Sequence, residues 1–371
     1  MNSIRLLDLG TVSPLRSQTV YHAVGYAMNA EDLLSGAGAE EDRKIPDTII
    51  MVRPDRPYVC IGFHQDAERS VDLEYCRDAG LPVYRREVGG GAVLLDPGQV
   101  FVQWVFRGDR LPGDLEARFA EYVRPLVETY RSLGIPAQFR PANDIHVGGK
   151  KIGGTGAALI GSAGIVVGSL MFTFDKAMMA RVLRVSSEKM RDKVHQSLEQ
   201  YMTTMQEQLG IPPRLDEVKR LYIAHCAASL GRDIAPGAWT SAEEAWAVQI
   251  DARLDSEAWL NQKGGLRQSG VKIHEDVRVV EGEFKAPGGL IVVTARLASG
   301  RIDDVSITGD FTVLPAHAVG AMEQAVRGSM LDRHDLELRL ASVYSSLEVR
   351  SPGMMVEDLA AAILIAAGLS A

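Results

Sequence analysis

Cysteine is scarce in this 371-residue chain. Cys60, Cys76 and Cys226 are scattered, odd in number, and form no CxxC pair. A disulfide framework and a zinc ribbon are therefore disfavoured, and a reducing cytoplasm is the compartment that fits. An excess of positive charge is missing too. Forty Lys and Arg stand against 48 Asp and Glu, for a formal net charge of −8, which argues against general nucleic-acid binding. Long apolar runs are absent. The longest, Leu359 to Leu369, is too short to span a bilayer. It reads as a C-terminal core helix with Glu357 and Asp358 near its positive end. The opening MNSIRLLDLG lacks the apolar centre of a signal peptide. Neither nucleic acid nor a membrane is expected as a partner.

The composition, 46% hydrophobic and 24% charged, is that of a soluble globular protein, and the length predicts two domains. Strands are expected at 3–9, 48–52, 58–61, 82–86, 92–95 and 100–106. Helices are expected at 18–33, 69–79 and 115–133, and a loop from Ser35 through an acidic patch to Pro46. The most informative stretch is Tyr84-Arg85-Arg86-Glu87-Val88-Gly89-Gly90-Gly91-Ala92-Val93. Three glycines contribute nothing to a packed helix or strand and each costs backbone entropy. Such runs persist where the backbone must come close to something or take positive φ. Free N–H groups on a tight loop suit anionic oxygens, and an adjacent arginine matches phosphate or carboxylate. Taken alone, the stretch reads equally as a glycine-rich turn beside two solvated arginines.

A second stretch runs Asn143-Asp144-Ile145-His146-Val147-Gly148-Gly149-Lys150-Lys151-Ile152-Gly153-Gly154-Thr155-Gly156. It predicts a hairpin turning at Gly148-Gly149, with Lys150 and Lys151 on opposite faces. The phosphate-loop pattern fails, because Asp144 stands where its first glycine belongs and no Ser or Thr follows Lys150. The G-x-G-x-x-G fingerprint fails at Leu159.

The joint order is more specific than either part. Arg56-Pro57-x-Val59-x-Ile61-Gly62-x-x-Gln65 precedes the arginine–glycine stretch. Asn143-Asp144-Ile145, Gly149-Lys150-Lys151-Ile152-x-Gly154 and Val167-Gly168-Ser169-Leu170 follow it. Over roughly residues 20–260 this resembles the lipoate–protein ligase family, within the biotin/lipoate ligase and octanoyltransferase group. The resemblance implies an α+β fold, with a mixed sheet flanked by helices and a small α+β accessory domain. It implies a catalytic domain over 1–261 and an accessory domain over 262–371. The composition shift at Asn261-Gln262-Lys263-Gly264-Gly265 marks the boundary.

The resemblance also implies roles. Arg86 would meet the adenylate phosphate or the acyl carbonyl. Gly89, Gly90, Gly91 and Ala92 would lie along lipoyl-AMP, and Lys151 would polarise the acyl carbonyl and α-phosphate oxygens. Asn143 and Asp144 would stand near the nucleotide, with Asp144 on its Mg²⁺. Gly154, Gly168, Ser169 and Gln65 complete the substrate-binding set. Three departures stand out: Val88 for Ser or Thr, Leu95 for a histidine, and Gly153 for Ser or Ala.

The implied chemistry is attack of a lipoate carboxylate on ATP, giving lipoyl-AMP. Transfer to a lysine of a lipoyl-carrier protein follows; the carrier could be a lipoyl domain, an H protein or a lipoate-binding protein. Val59, Val83 and Val93 would line an apolar tunnel or simply fill the strand core. Lys285 would either reach the active site or stand solvated on a hairpin. The alternatives are an ATP-independent octanoyl or lipoyl transferase and a non-catalytic lipoate or carrier binder. Many such transferases carry a cysteine nucleophile just after the lysine hairpin, and this chain has no cysteine between Cys76 and Cys226. Beyond the hairpin, helices are expected at 177–184, from Ser186-Ser187-Glu188 up to the Pro212-Pro213 break, at 214–230 and at 241–260. Short strands near 277–284, 290–298 and 305–308 follow, with helices near 315–327 and 332–343.

Overall fold

β6 (Gln99–Arg107) is buried along its whole length, and the first sheet is built around it. The computed structural model describes residues 3–35, 45–141, 143–266 and 277–370. Eight strands form a mixed sheet in the order β11-β1-β2-β6-β10-β9-β8-β7. They are β1 (Ile4–Val12), β2 (Thr48–Pro54), β6, β7 (Gln138–Arg140), β8 (Asp144–Val147), β9 (Lys150–Ile160), β10 (Ala163–Met171) and β11 (Ile234–Pro236). β1 runs parallel to β11 and β2. From β2 through β6, β10, β9 and β8 to β7 every pairing is antiparallel.

Successive residues of β6 face opposite sides of this sheet. Gln103 Nε2 donates to Ser17 O in the helix Pro14–Ser35, and Trp104 Nε1 donates to Tyr222 Oη in the helix Leu215–Leu230. Helices therefore cover both faces, which is why β6 reads as apolar from Val100 to Phe106 with Gln103 the one exception. A second small sheet has the order β4-β3-β5, formed by β4 (Val83–Arg85), β3 (Tyr58–Ile61) and β5 (Val93–Leu95).

The chain divides into two compact units. One holds residues 1–60, 71–84 and 93–256. The other holds 61–70, 85–92 and 257–371. In the second, β12 (Val277–Ala286), β13 (Gly289–Ala298) and β14 (Arg301–Gly309) form an antiparallel sheet. Its apolar side packs with the helices Ala318–Val326, Arg333–Ser346 and Val356–Ala366 around Ile291, Val293, Ile307, Met322, Leu340 and Ile363.

Most elements lie where the pattern puts them, with three instructive differences. The helix expected over 69–79 is two short ones, Ala67–Ser70 and Leu73–Asp78. Val71 between them bridges Leu183, and Asp72 caps the second by accepting from Tyr75 N. The helix opened by Ser187 ends at Tyr201, well before Pro212. There Met202 turns extended and bridges Lys151, after which a short helix, Met205–Leu209, ends at Gly210. The helix expected over 241–260 breaks at Asp255 into Ser241–Leu254 and Glu257–Leu260. Residues 36–44 of the expected acidic loop lie outside the described residues. Among the described residues no helix is long and apolar enough to cross a membrane.

Candidate active site

The first group of candidate residues sits on the hairpin β8–β9. Gly148 and Gly149 turn it at φ of +54° and +83°, a region open to glycine at little cost. A register shift falls between Ile145 and His146, so that Asp144 stands opposite Gly154 and His146 opposite Lys151. Lys151 runs back over Gly154 and places Nζ 2.7 Å from Asp144 Oδ1. A Cβ on Gly154 would lie 3.0 Å from both Cε and Nζ of Lys151. Glycine three residues after the lysine is thus what lets the side chain lie flat. Lys151 is 40% exposed and can reach a bound anion. Lys150 points the other way, its Nζ donating to Glu199 O at 3.1 Å.

Backbone bonds fix Lys151 on its second edge. Thr203 N donates to Lys151 O at 2.9 Å, beside the Lys151–Met202 bridge. Sequence reasoning did not find this strap, nor the ion cluster that holds it. Lys176, 5% exposed, lies 3.1 Å from Glu199 and 2.8 Å from Glu207. Burial works against its charge, but hydrogen bonds to Glu207 and Glu199 outweigh it and raise its pKa. A single lysine at a helix start carries no signal of this in the sequence.

Asn143 is part of the same frame. Its Nδ2 donates to Thr155 O at 2.6 Å, and Thr155 N returns a bond to Asn143 O at 3.0 Å. On β10, Gly168 passes close to Tyr122: a Cβ there would lie 3.1 Å from Tyr122 Oη and from Gly154 O. Ser169 Oγ faces Gln99 Oε1 at 3.4 Å. His146 Nε2 is buried without a hydrogen-bond partner, 3.7 Å from Asp144 Oδ2.

The second group lies in the other unit. Arg86 folds under its own loop, Nη2 donating to Gly89 O at 2.8 Å and Gly91 O at 2.9 Å. Gly90 takes φ of +91°, and its carbonyl comes so near Gly62 that a Cβ on Gly62 would lie 1.8 Å from it. Gly90 N donates to Phe311 O at 3.1 Å. A Cβ on Gly89 would lie 2.7 Å from Thr312 Oγ1, whereas one on Gly91 would meet Asp310 at an ordinary 3.6 Å. Ala92 follows, half-buried. Gln65 closes the preceding turn, accepting from Gly62 N at 2.9 Å and donating to Ser70 Oγ at 3.1 Å. Val88, where a hydroxyl was expected, is 1% exposed, so an apolar side chain suits its surroundings.

Arg85, grouped with Arg86 in the sequence, is fully buried and differs in kind. Its guanidinium donates to the carbonyls of Gly62, Phe63 and Gln65 and to those of Trp259 and Leu260. Trp259 Nε1 donates back to Arg85 O at 2.8 Å. His64, between these residues, stacks on Phe311 with ring centroids 5.1 Å apart. Burial, and then the charge of Lys263, lower its pKa to about 3.

All three cysteines are buried. Burial, helped by Asp72, pushes the Cys76 thiol up to about 11, and burial pushes Cys226 up to about 12. Among the described residues no cluster of three or more His, Cys, Asp or Glu side chains could hold a metal by itself. Asp144 still fits Mg²⁺ of the kind that arrives with nucleotide, since such sites use one or two carboxylates with phosphate oxygens and water.

A family model described as "Lipoyl protein ligase A/B catalytic domain" matches residues 26–227. Lipoate-protein ligase A subunit 1 of Thermoplasma acidophilum is 30% identical over 212 residues, covering 54% of this chain and 79% of its own. Octanoyltransferase LipM of Kyrpidia tusciae is 27% identical over 290 residues, covering 71% of this chain and 100% of its own. A structure of the bipartite lipoate protein ligase of T. acidophilum and its E2 lipoyl domain contains a chain that superposes with a TM-score of 0.60 at 27% identity. It covers 73% of this chain and 100% of that one.

Proposed function

The chain belongs to the lipoyl protein ligase A/B family, and from that premise we propose that it is an ATP-dependent lipoate–protein ligase. Residues 1–261 are its catalytic domain and residues 262–371 its accessory domain. It forms lipoyl-AMP and passes the lipoyl group to a lysine of a carrier protein. The relatives bear both activities, a ligase in Thermoplasma and an octanoyltransferase in Kyrpidia, so the choice rests on this chain's own groups. The observation that carries it is the state of the cysteines. A thioester route needs an accessible thiolate, and Cys60, Cys76 and Cys226 are buried, two of them with raised thiol pKa values.

In the ligase reaction a lipoate oxygen forms a bond to the α-phosphorus while the bond to pyrophosphate breaks. Two anions must meet, and fixed cations offset their repulsion. Lys151 is the cation that does this, leaving Asp144 for the α-phosphate and acyl oxygens. Arg86 holds Gly89–Gly91 in shape, and Gly91, the one of the three not pressed against Phe311 or Thr312, would lie along the adenylate without a Cβ between. Asp144 would hold the Mg²⁺ that arrives with the nucleotide, which would supply charge neutralisation. In the second step the carrier's lysine amine attacks the acyl carbon, the proton leaves the amine, and AMP departs. Lys151 stabilises the oxygen on which charge builds.

The test is pyrophosphate release with ATP, Mg²⁺ and lipoate, together with the mass of an added carrier. Lipoate-dependent release and a carrier heavier by one lipoyl group support the ligase. Acyl transfer from an acylated carrier without ATP would replace it with the transferase. Lipoate binding with neither activity would leave a binding protein.

A further inference from the structure

The helix Glu188–Tyr201 has no buried residue, yet Met190, Val194, Leu198 and Tyr201 recur along one face at helical spacing. Met190 is 42% and Tyr201 56% exposed. With Lys193 and Met202 they line an open groove of about 320 Å³. An amphipathic helix normally spends its apolar stripe on the core. This one is held by its polar side instead. Arg191 donates to the carbonyls of Ala180, Arg181 and Leu183 and faces Asp72. Glu199 is gripped by Lys176 through its carboxylate and by Lys150 through its carbonyl. The apolar stripe is the side left over, with Met190 and Tyr201 exposed and Val194 and Leu198 half-buried.

Position and charge say what covers it. The groove ends at Met202, the residue that bridges Lys151. An occupant of the groove therefore comes against the strand of the proposed catalytic lysine. Its rim is basic in a chain of net charge −8. Lys193 lines it, and Lys189 stands one turn earlier, both exposed. Of the three helix acids, Glu188 and Glu199 are engaged elsewhere by Arg181, Arg191 and Lys176, and Asp192 lies outside the groove's lining.

Resting on the ligase reading, we propose that this stripe is the docking surface for the acceptor carrier. The partner is a small domain that offers an apolar contact and acidic side chains around its acceptor lysine. Complementary charge of this kind steers encounter and fixes register, and the apolar stripe holds the complex.

The test compares wild type with Met190→Asp/Lys193→Glu and, separately, Tyr201→Ser. All three side chains are exposed, and circular dichroism checks that the fold is kept. Carrier KM should rise roughly tenfold or more, as loss of an interface hot spot does. Pyrophosphate release without carrier should stay unchanged, and wild-type carrier KM should rise with salt. An unchanged carrier KM in both variants overturns the proposal. So does a wild-type dimer, seen by light scattering, that the variants break while carrier KM holds, since the stripe then belongs to a second copy. Calorimetry of unmodified carrier with the chain, in the absence of ATP and lipoate, separates the two ideas. Loss of lipoate-dependent pyrophosphate release in wild type defeats the ligase reading alone. Equal carrier binding by wild type and variants defeats the docking surface alone.

Discussion

Lys151 Nζ lies 2.7 Å from Asp144 Oδ1 across the hairpin, with Gly154 beneath the lysine side chain. The carboxylate holds the ammonium in a defined place, and on the ligase reading releases it to the bound phosphate. Lys151→Ala should therefore abolish lipoate-dependent pyrophosphate release while leaving the melting temperature near wild type. Full release in that variant would remove Lys151 from the site. Gly154→Ala puts a methyl 3.0 Å from Cε and Nζ. It should lower the adenylation rate about tenfold or more by misplacing the cation, with the fold again intact.

The glycine loop makes a different prediction. A Cβ at Gly62 would lie 1.8 Å from Gly90 O, and backbone cannot yield as a flexible side-chain tip can. Gly62→Ala should cost roughly 2 kcal/mol or more of stability, read by denaturant midpoint. At Gly91 the nearest atom to a new Cβ is 3.6 Å away, so Gly91→Ala should fold normally and affect only substrate binding. Equal stability losses at both positions would contradict this account.

Buried thiols predict chemical silence. Cys76 and Cys226, with pKa values raised to about 11 and 12, should resist alkylation of the native protein at pH 8. Acyl transfer should survive iodoacetamide. Cys76→Ala should keep its activity at a stability cost of about 1 kcal/mol for the lost packing. Loss of transfer on alkylation, without unfolding, would restore a thioester route.

The acid limb of stability should carry the signature of His64. Its folded pKa of about 3 lies below the ordinary value of 6.5, so between those values the unfolded chain binds the extra proton. Stability is then fully present above pH 6.5 and falls as the pH drops towards 3, by on the order of 1 kcal/mol per pH unit. His64→Phe should flatten that slope in denaturant titrations between pH 7 and 5. An unaltered slope would assign it to other groups.

The hairpin was legible because its information is local. Gly148-Gly149 demands a turn, and alternation sends Lys150 and Lys151 to opposite faces, where they meet Glu199 and Asp144. The helix after Ser187 was legible at its start, where Ser187 accepts from Met190 N, but not at its end. The bond from Thr203 N to Lys151 O stops it, and no residue near 201 announces a partner fifty positions back. Arg85 and Arg86 show the same limit. Adjacent and identical in type, they are told apart only by the distant carbonyls of Trp259 and Leu260 that one of them meets.

That last contact bears on how this polypeptide could be divided. Arg85 is a buried cation whose donors are shared between the turn before the glycine loop and the chain at Trp259 and Leu260. A nick placed before Trp259 would put the two halves of its carbonyl cage on different molecules. A nick after Leu260, in Asn261–Gly265, would leave the cage on the N-terminal fragment. Of the two cuts, the second is the one from which separately made fragments should reassemble, with no buried guanidinium waiting for its acceptors.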